Sequence, residues 1–297
     1  MASVLVVGGV TWDTLLYLEH LPEPYPQTIF SQDYHETMGG TGAGKALNLA
    51  RLSFDVTLHA LLGDDLEGQQ AAGMLGAAGV HLRAEIDPLG TERHVNLLDA
   101  QGRRLSIYAR SATFDPEIDQ AGLAGMIPHY DYLVLNIINY TRRLIPAARA
   151  RQVPIWCDLH DYDGESAYHQ DFVDAATYLV FNSDAMPDYR PFMHEQVQRG
   201  KQLVICTHGA EGATALSAEG RWYETPAIDE YARVDTNGAG DGFFSGVLYG
   251  FSQDYEIERC LRLGAITAGL CITVRELAHP DLSPALVEAE YARLFPD

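Results

Sequence analysis

The sequence predicts an α/β protein: a mostly parallel β-sheet with helices on both faces and a small second β-sheet. Three observations predict this. Short, continuous apolar runs rich in Val, Ile and Leu recur along the 297 residues, the pattern of strands buried on both faces. Segments with helical periodicity separate them, and strand–helix alternation specifies parallel strands joined by crossovers. Two further segments alternate polar with apolar residues, the period of half-exposed strands.

In chain order, the buried strands are Ser3–Val7, Val56–Leu62, Tyr132–Ile138, Val153–Asp158, Tyr178–Phe181 and Leu203–Thr207. The helices are Gly42–Leu52, Glu67–Ala78, Thr141–Arg151 and Ala185–Gly200. The first alternating segment lies in Leu15–Thr37, where Pro22, Pro24 and Pro26 precede the stretch Thr28–Met38. The second, within Arg93–Arg110, reads as a hairpin: His94–Asp99, a turn at Ala100-Gln101-Gly102, then Arg104–Arg110. The two together form either an antiparallel β lid, over approximately residues 14–37 and 91–111, or two ordinary surface hairpins. A last hairpin occupies residues 213–225. No repeat or linker intervenes, so 1–297 reads as one domain with a discontinuous lid. The acidic stretch Asp158–Asp174, with six carboxylates and no Lys or Arg, reads as a solvated loop. It fails the calcium-loop pattern at Leu159.

Composition narrows the function. With 20 Lys and Arg against 41 Asp and Glu, the formal charge is −21, a field that repels nucleic acid and anionic membranes. No run approaches the roughly 18 apolar residues of a membrane helix, and the N-terminus lacks the basic region of a secretion signal. Cys157, Cys206, Cys260 and Cys271 form no C-x-x-C pair and read as buried thiols of a cytoplasmic protein.

Two glycine-rich segments carry the chemistry. In Asp235-Thr236-Asn237-Gly238-Ala239-Gly240-Asp241, small residues at 238–240 precede a helical stripe of Phe243, Phe244, Val247 and Leu248. That places unpaired N–H groups and a positive dipole end at an anion site. Asp241, in the first turn, is either a helix-stabilising acid or a general base beside a transferred phosphoryl group. The other segment is Gly39-Gly40-Thr41-Gly42-Ala43-Gly44-Lys45. It matches the start of a P-loop, but Ala46 stands where Ser or Thr must hold Mg²⁺, and no apolar strand supplies the second magnesium-binding Asp.

Both segments resemble the two motifs of the PfkB/ribokinase family of small-molecule kinases, and the resemblance runs from about residue 3 to about 285. It implies a ribokinase-like three-layer α/β/α fold and transfer of the γ-phosphoryl group of ATP to a hydroxymethyl group of a small sugar. A nucleoside acceptor and a catalytically inactive sugar-binding homologue are the alternatives. By the same resemblance, Asp241 is the base, and the N–H groups of Gly238, Ala239 and Gly240 stabilise the charge in flight. Asp13, Gly39, Gly40, Thr41, Gly44 and Lys45 face the acceptor, with Gly44 where many members carry Asn. Asn182, Thr207, Gly209, Gly212, Gly238 and Gly240 hold the nucleotide, and Gly63-Asp64-Asp65 is a structural turn. Asp184 stands one residue before the family's magnesium-associated acid, a position held here by Ala185. Asp235 lies at a position near a monovalent cation, or fixes the loop. ATP, Mg²⁺ and K⁺ are the implied cofactors, and a homodimer through the lid the implied assembly. Trp12 and Tyr108 either stack on a substrate ring or pack the lid. Acidity favours a neutral acceptor unless Lys45, Arg93, Arg103, Arg104 or Arg110 faces it.

Overall fold

The computed structural model describes residues 1–101 and 103–296, so the Gly102 position of the expected turn lies outside the described residues. The chain opens with β1 (Ser3–Val7), β2 (Thr11–Leu18), β3 (Asp33–Gly39), α1 (Thr41–Arg51), β4 (Asp55–Leu62), α2 (Leu66–Ala77) and β5 (His81–Ile86). It continues through β6 (Glu92–Asp99), β7 (Arg104–Arg110), α3 (Gln120–Met126), β8 (Tyr132–Asn136), α4 (Ile145–Ala150), β9 (Ile155–Asp158) and α5 (Gln170–Ala175). Then come β10 (Tyr178–Asn182), α6 (Tyr189–Gln198), β11 (Leu203–Thr207), β12 (Ala213–Ser217), β13 (Trp222–Thr225), α7 (Ala239–Ser252), α8 (Ile257–Cys271) and α9 (Pro284–Leu294).

Among the described residues the strands form two sheets. The nine-stranded sheet runs β13-β12-β11-β10-β9-β8-β1-β4-β5. It is parallel from β11 to β5 and ends in the antiparallel β12–β13 hairpin. Alternation along β1 shows why the strands read as unbroken apolar runs. Val4 and Val6 join one core with Leu49, Leu75, Phe244 and Ile266, from α1, α2, α7 and α8. Leu5 and Val7 join the other with Leu123, Ile145, Phe172 and Met193, from α3, α4, α5 and α6. Three layers follow, and the parallel strands end at one edge, where open α/β sheets place ligands.

The four-stranded sheet runs β3-β2-β6-β7. Its outer pairs are antiparallel, as the alternation predicts, but β2 and β6 pair in parallel because β6 arrives from β5 by a crossover rather than a hairpin.

Other expectations need correction. The strand expected over Thr28–Met38 starts at Asp33, since the register with β2 ends at Tyr17↔Asp33 and the ladder closes on the Gln32 N–H to Tyr17 carbonyl bond. The helix expected over Thr141–Arg151 divides into a 3₁₀ segment, Asn139–Leu144, and α4. Pro146 fits only a first helical turn. The helix expected from Ala185 starts at Tyr189, after Pro187. Asp13, which follows the first strand, belongs to the second, β2.

Candidate active site

The loop from β3 into α1 contains the single residue Gly40, at φ 92°. The first turn of α1 is therefore fixed directly to the small sheet. At its entrance lies Asp13, buried, whose Oδ1 accepts from Thr11 Oγ1 at 2.5 Å and whose Oδ2 accepts from Asn96 Nδ2 at 3.1 Å. His94 Nδ1 stands 3.8 Å from the same carboxylate. Burial raises the Asp13 carboxyl above its ordinary value against these hydrogen bonds. Gly39 leaves the space the carboxylate occupies. Thr41 Oγ1 accepts from Asn136, at the carboxyl end of β8.

One turn further along α1 is a second carboxylate. A Cβ on Gly44 would run into the side chain of Asp241. Asp241 lies in the first turn of α7 and is buried. Its Oδ1 is 2.5 Å from Lys45 Nζ, which also stands 3.1 Å from Asp158 Oδ2. Lys45 is 0% exposed. Its expected place facing the acceptor is thus corrected: the ammonium is committed to two carboxylates. Gly44, expected to touch the acceptor, is instead the floor under Asp241. With its ammonium between two carboxylates and no hydroxyl at Ala46, the segment is not a P-loop.

Burial raises Asp241 above the ordinary carboxylate range, against the pull of Lys45. Burial also opposes ionisation of Asp158, but His160 and Lys45 outweigh it and hold Asp158 below its ordinary value. Burial alone would lower Lys45, yet Asp241 and Asp158 hold it well above its ordinary value. His160 has a left-handed backbone, φ 56°, and its N–H donates to Asp158 Oδ1 at 3.0 Å. Such a conformation costs on the order of 1 kcal/mol and concentrates at functional sites.

Asp158 was missed within the acidic stretch, where it is no part of a solvated loop. Asp161, Asp163, Glu165, Asp171 and Asp174 are exposed, while Asp158 ends buried strand β9. The available signal was position: it is the one acid that closes an apolar run. Asn96 and His94 were missed too. Their signal was the polar residue at every second place of β6, on the face that carries Asp13.

Asp235 takes the loop-fixing role. Its Oδ1 accepts from the Asn237 N–H at 2.8 Å and its Oδ2 from the Tyr17 hydroxyl at 2.7 Å. Gly238 caps α7 in the left-handed conformation, φ 81°. The Ala239 N–H turns back to the Thr236 carbonyl at 3.3 Å, so it is already engaged, while Gly240 is exposed at the first turn. Asn182 and Thr207 are register partners at the carboxyl ends of β10 and β11. Gly209 and Gly212 bracket the short 3₁₀ turn beyond Thr207. The Asn182 side chain caps its own loop by accepting from the Asp184 N–H at 3.0 Å. Asp184 is exposed, and the described residues include no cluster of three or more His, Cys, Asp or Glu suited to a metal ion. A lone exposed carboxylate does not cage a resident Mg²⁺; it suits only an ion that arrives on the nucleotide.

The small sheet is fastened to the body around this loop. Besides Tyr17–Asp235, Arg104 donates to Asn237 Oδ1 at 3.4 Å, Thr37 to Glu276 at 3.1 Å, and Arg275 pairs with Asp33 at 2.8 Å. Arg93, Arg103 and Arg110 are engaged by Glu67, Asp99 and Asp65. Tyr108 packs on His94 with ring centroids 4.0 Å apart, and Trp12 packs against the body core.

A three-layer α/β body, a small sheet fastened beside its strand ends, and a buried carboxylate at a glycine-rich helix start define a small-molecule kinase of the ribokinase fold. A family model described as pfkB family carbohydrate kinase matches residues 1–284, and the chain belongs to that family. The acarbose 7(IV)-phosphotransferase of Actinoplanes sp. is 32% identical to it over 278 residues, 92% of each chain. The ATP-dependent ribose-1-phosphate kinase of Halopiger xanaduensis is 29% identical over 281 residues, 91% of this chain and 93% of that protein. A solved microbiome-derived acarbose kinase superposes with a TM-score of 0.87 at 28% identity, covering 99% of this chain and 100% of that one.

Proposed function

We propose that the protein transfers the γ-phosphoryl group of ATP to a hydroxymethyl group of a neutral sugar, with Asp241 as the base. One observation carries this reading: two buried carboxylates lie one turn apart at the β3–α1 junction, Asp13 against Gly39 and Asp241 against Gly44. Asp13, with Asn96, Gly39, Gly40 and Thr41, holds acceptor hydroxyls. Asp241, one turn away, accepts the proton of the hydroxyl that attacks. The dipole and the N–H groups of Gly238 and Gly240 stabilise the charge on the phosphoryl group, the Ala239 N–H being turned back to Thr236. Asn182, Thr207, Gly209 and Gly212 line the nucleotide side. Engagement of Arg93, Arg103 and Arg110 by carboxylates supports a neutral acceptor, while Arg104, on Asn237 and near enough to act on Asp13, is the guanidinium on the acceptor side.

Mg²⁺ enters with the nucleotide, as Mg·ATP, and neutralises phosphate charge. Each oxygen of Asp235 accepts one hydrogen bond and keeps a lone pair, so the same carboxylate that fixes the loop would be the ligand for a monovalent cation. The small sheet acts as a lid that excludes water from the phosphoryl group. Two copies pair through its outer face. There the cross-strand ladders set Leu105, Leu97, Leu16 and Tyr34 in one row and Ile107 beside Val95 in the next. The four unpaired thiols support a cytoplasmic location, and among the described residues no helix is long and apolar enough to cross a membrane.

The test is ADP release over pentoses, hexoses, their monophosphates, acarbose and nucleosides. Turnover of nucleosides alone would replace the sugar with the nucleoside reading. Ligand-induced thermal stabilisation without any ADP release would mark an inactive sugar-binding protein. Asp241→Asn is expected to keep ATP affinity and lower kcat by roughly 10²–10⁴-fold; near-wild-type turnover would remove Asp241 from the base role.

A further inference from the structure

We propose that Lys45 is a positioning residue for the base: anchored on Asp158, its buried ammonium fixes the direction and the charge of the Asp241 carboxylate. The inference rests on the reading of Asp241 as base. In that step the acceptor O–H gives its proton to Asp241, the acceptor oxygen bonds to the γ-phosphorus, and the bond to the bridging oxygen of ADP breaks. Lys45 keeps all its protons throughout.

The geometry carries this. Lys45 Nζ lies 2.5 Å from Asp241 Oδ1 and 3.1 Å from Asp158 Oδ2, so one cation serves two anions from different elements. Phe244, one turn along α7, presents its ring 5.0 Å from the ammonium. Ser245 Oγ donates to the Asp241 carbonyl at 2.7 Å and reaches the Lys45 carbonyl at 3.5 Å, stitching α7 to α1. With Gly44 beneath it, the Asp241 side chain is bounded by α1 on one side and by the ammonium on another. An ion pair this deep is a weak source of stability, because desolvation offsets its attraction. Its effect is to set one geometry and one charge state.

Charge balance makes the role testable. Asp241 is faced by Lys45 from α1, by Asp158 and His160 from the end of β9, and by Cys271 from α8, with Asp235 in the loop before α7. Cys157 lies beside Asp158 and Lys45. Burial pushes both thiols up, Cys271 to about 12, so neither adds charge near neutral pH. Without Lys45, two buried carboxylates face each other and share a proton, and the base is blocked at pH 7. Without Asp158, an unshared ammonium faces Asp241 and keeps it ionised to lower pH.

The experiment follows kcat, acceptor KM and melting temperature from pH 5 to 9 in the wild type, Lys45→Met, Asp158→Asn and the double variant. Lys45→Met is expected to lose roughly tenfold or more in kcat at pH 7, with its acid limb moved up by about one pH unit or more. Acceptor KM is expected to stay within about threefold, the split of a residue that acts on the transition state and not on binding. Asp158→Asn is expected to move the limb down, and the double variant to regain part of the activity lost in Lys45→Met. A raised acceptor KM with an unmoved profile in Lys45→Met would place Lys45 on the sugar and overturn the proposal. If Lys45→Met does not fold, Asp158→Asn decides alone: an unmoved or raised limb overturns it. A wild type that turns over no acceptor overturns the kinase reading and the role of Asp241 with it. Melting then still reports the cluster, since the deficit of Lys45→Met should shrink as acid protonates the two carboxylates, and a pH-independent deficit would refute it.

Discussion

Gly44 shows how a single missing atom shapes the site. The Asp241 carboxylate occupies the volume where a Cβ would sit, so Gly44→Ala must push the base off its line. A misplacement of about 1 Å costs on the order of 10²-fold in rate, and that loss is expected in kcat with ATP affinity retained. Steady-state kinetics of the alanine variant check it; an unchanged kcat would mean that the observed Asp241 orientation is not the productive one. Reading the sequence, the helix start and the glycine turn before Asp241 were legible because a helix start has a local physics, while the base role of Asp241 came from the resemblance. Asp13 was legible only through resemblance, since an acid near a strand end is common. Lys45 was assigned the wrong neighbour, because what it touches, Asp158, lies 113 residues away and no local pattern encodes a pairing across that distance.

At the level of elements, buried strands were read most closely: β1 and β11 have the expected bounds, because an apolar run covered on both faces has sharp ends. Edge strand β5 was not read at all. Its HLRAEI sequence is mostly exposed and gives no apolar run. Joints between elements were less legible still: the resemblance gave Gly63-Asp64-Asp65 as a structural turn, but not what Asp65 holds together. Asp65 caps α2 by accepting from the Gly68 N–H at 2.9 Å, and also accepts from the Thr91 N–H and hydroxyl and from Arg110. One carboxylate thus ties α2 to the small sheet. Burial opposes its ionisation, but the Thr91 and Gly68 hydrogen bonds prevail and hold it down to about 2. Asp65→Ala is expected to cost about 1–3 kcal/mol at neutral pH. Because the folded value is depressed, that contribution is complete above the ordinary 3.8 and is lost as pH falls toward about 2. Thermal unfolding of variant and wild type at pH 7 and pH 3 should therefore show a gap that narrows in acid.

On the scale of the whole molecule, the charge of −21 sets a problem for an enzyme that must attract a polyphosphate. The local answer is helix-terminal N–H groups together with the cation the nucleotide brings. Removing divalent ions with a chelator is expected to weaken nucleotide binding by at least about tenfold, measured by calorimetry with and without Mg²⁺. Retention of full affinity would place the answer in the protein's own side chains. Assembly is the other molecular-scale question. Leu105 and Ile107 are 41% and 46% exposed on strand β7, and Tyr34 is 65% exposed on the same outer face. Unpaired apolar edges of this kind are normally covered. Ile107→Asp is expected to convert a dimer to a monomer in sedimentation or light scattering, with melting changed by less than about 1 kcal/mol. A wild-type monomer at every concentration would dismiss the pairing.

The one-residue joint at Gly40 has a mechanical meaning. Strand β3, which lies under Asp13 at Gly39, passes straight into α1, which lies under Asp241 at Gly44, so the small sheet has no slack against that helix. If the small sheet closes as proposed, no loop takes up its movement before α1: the grip on the sugar and the wall behind the base share one joint, Gly40.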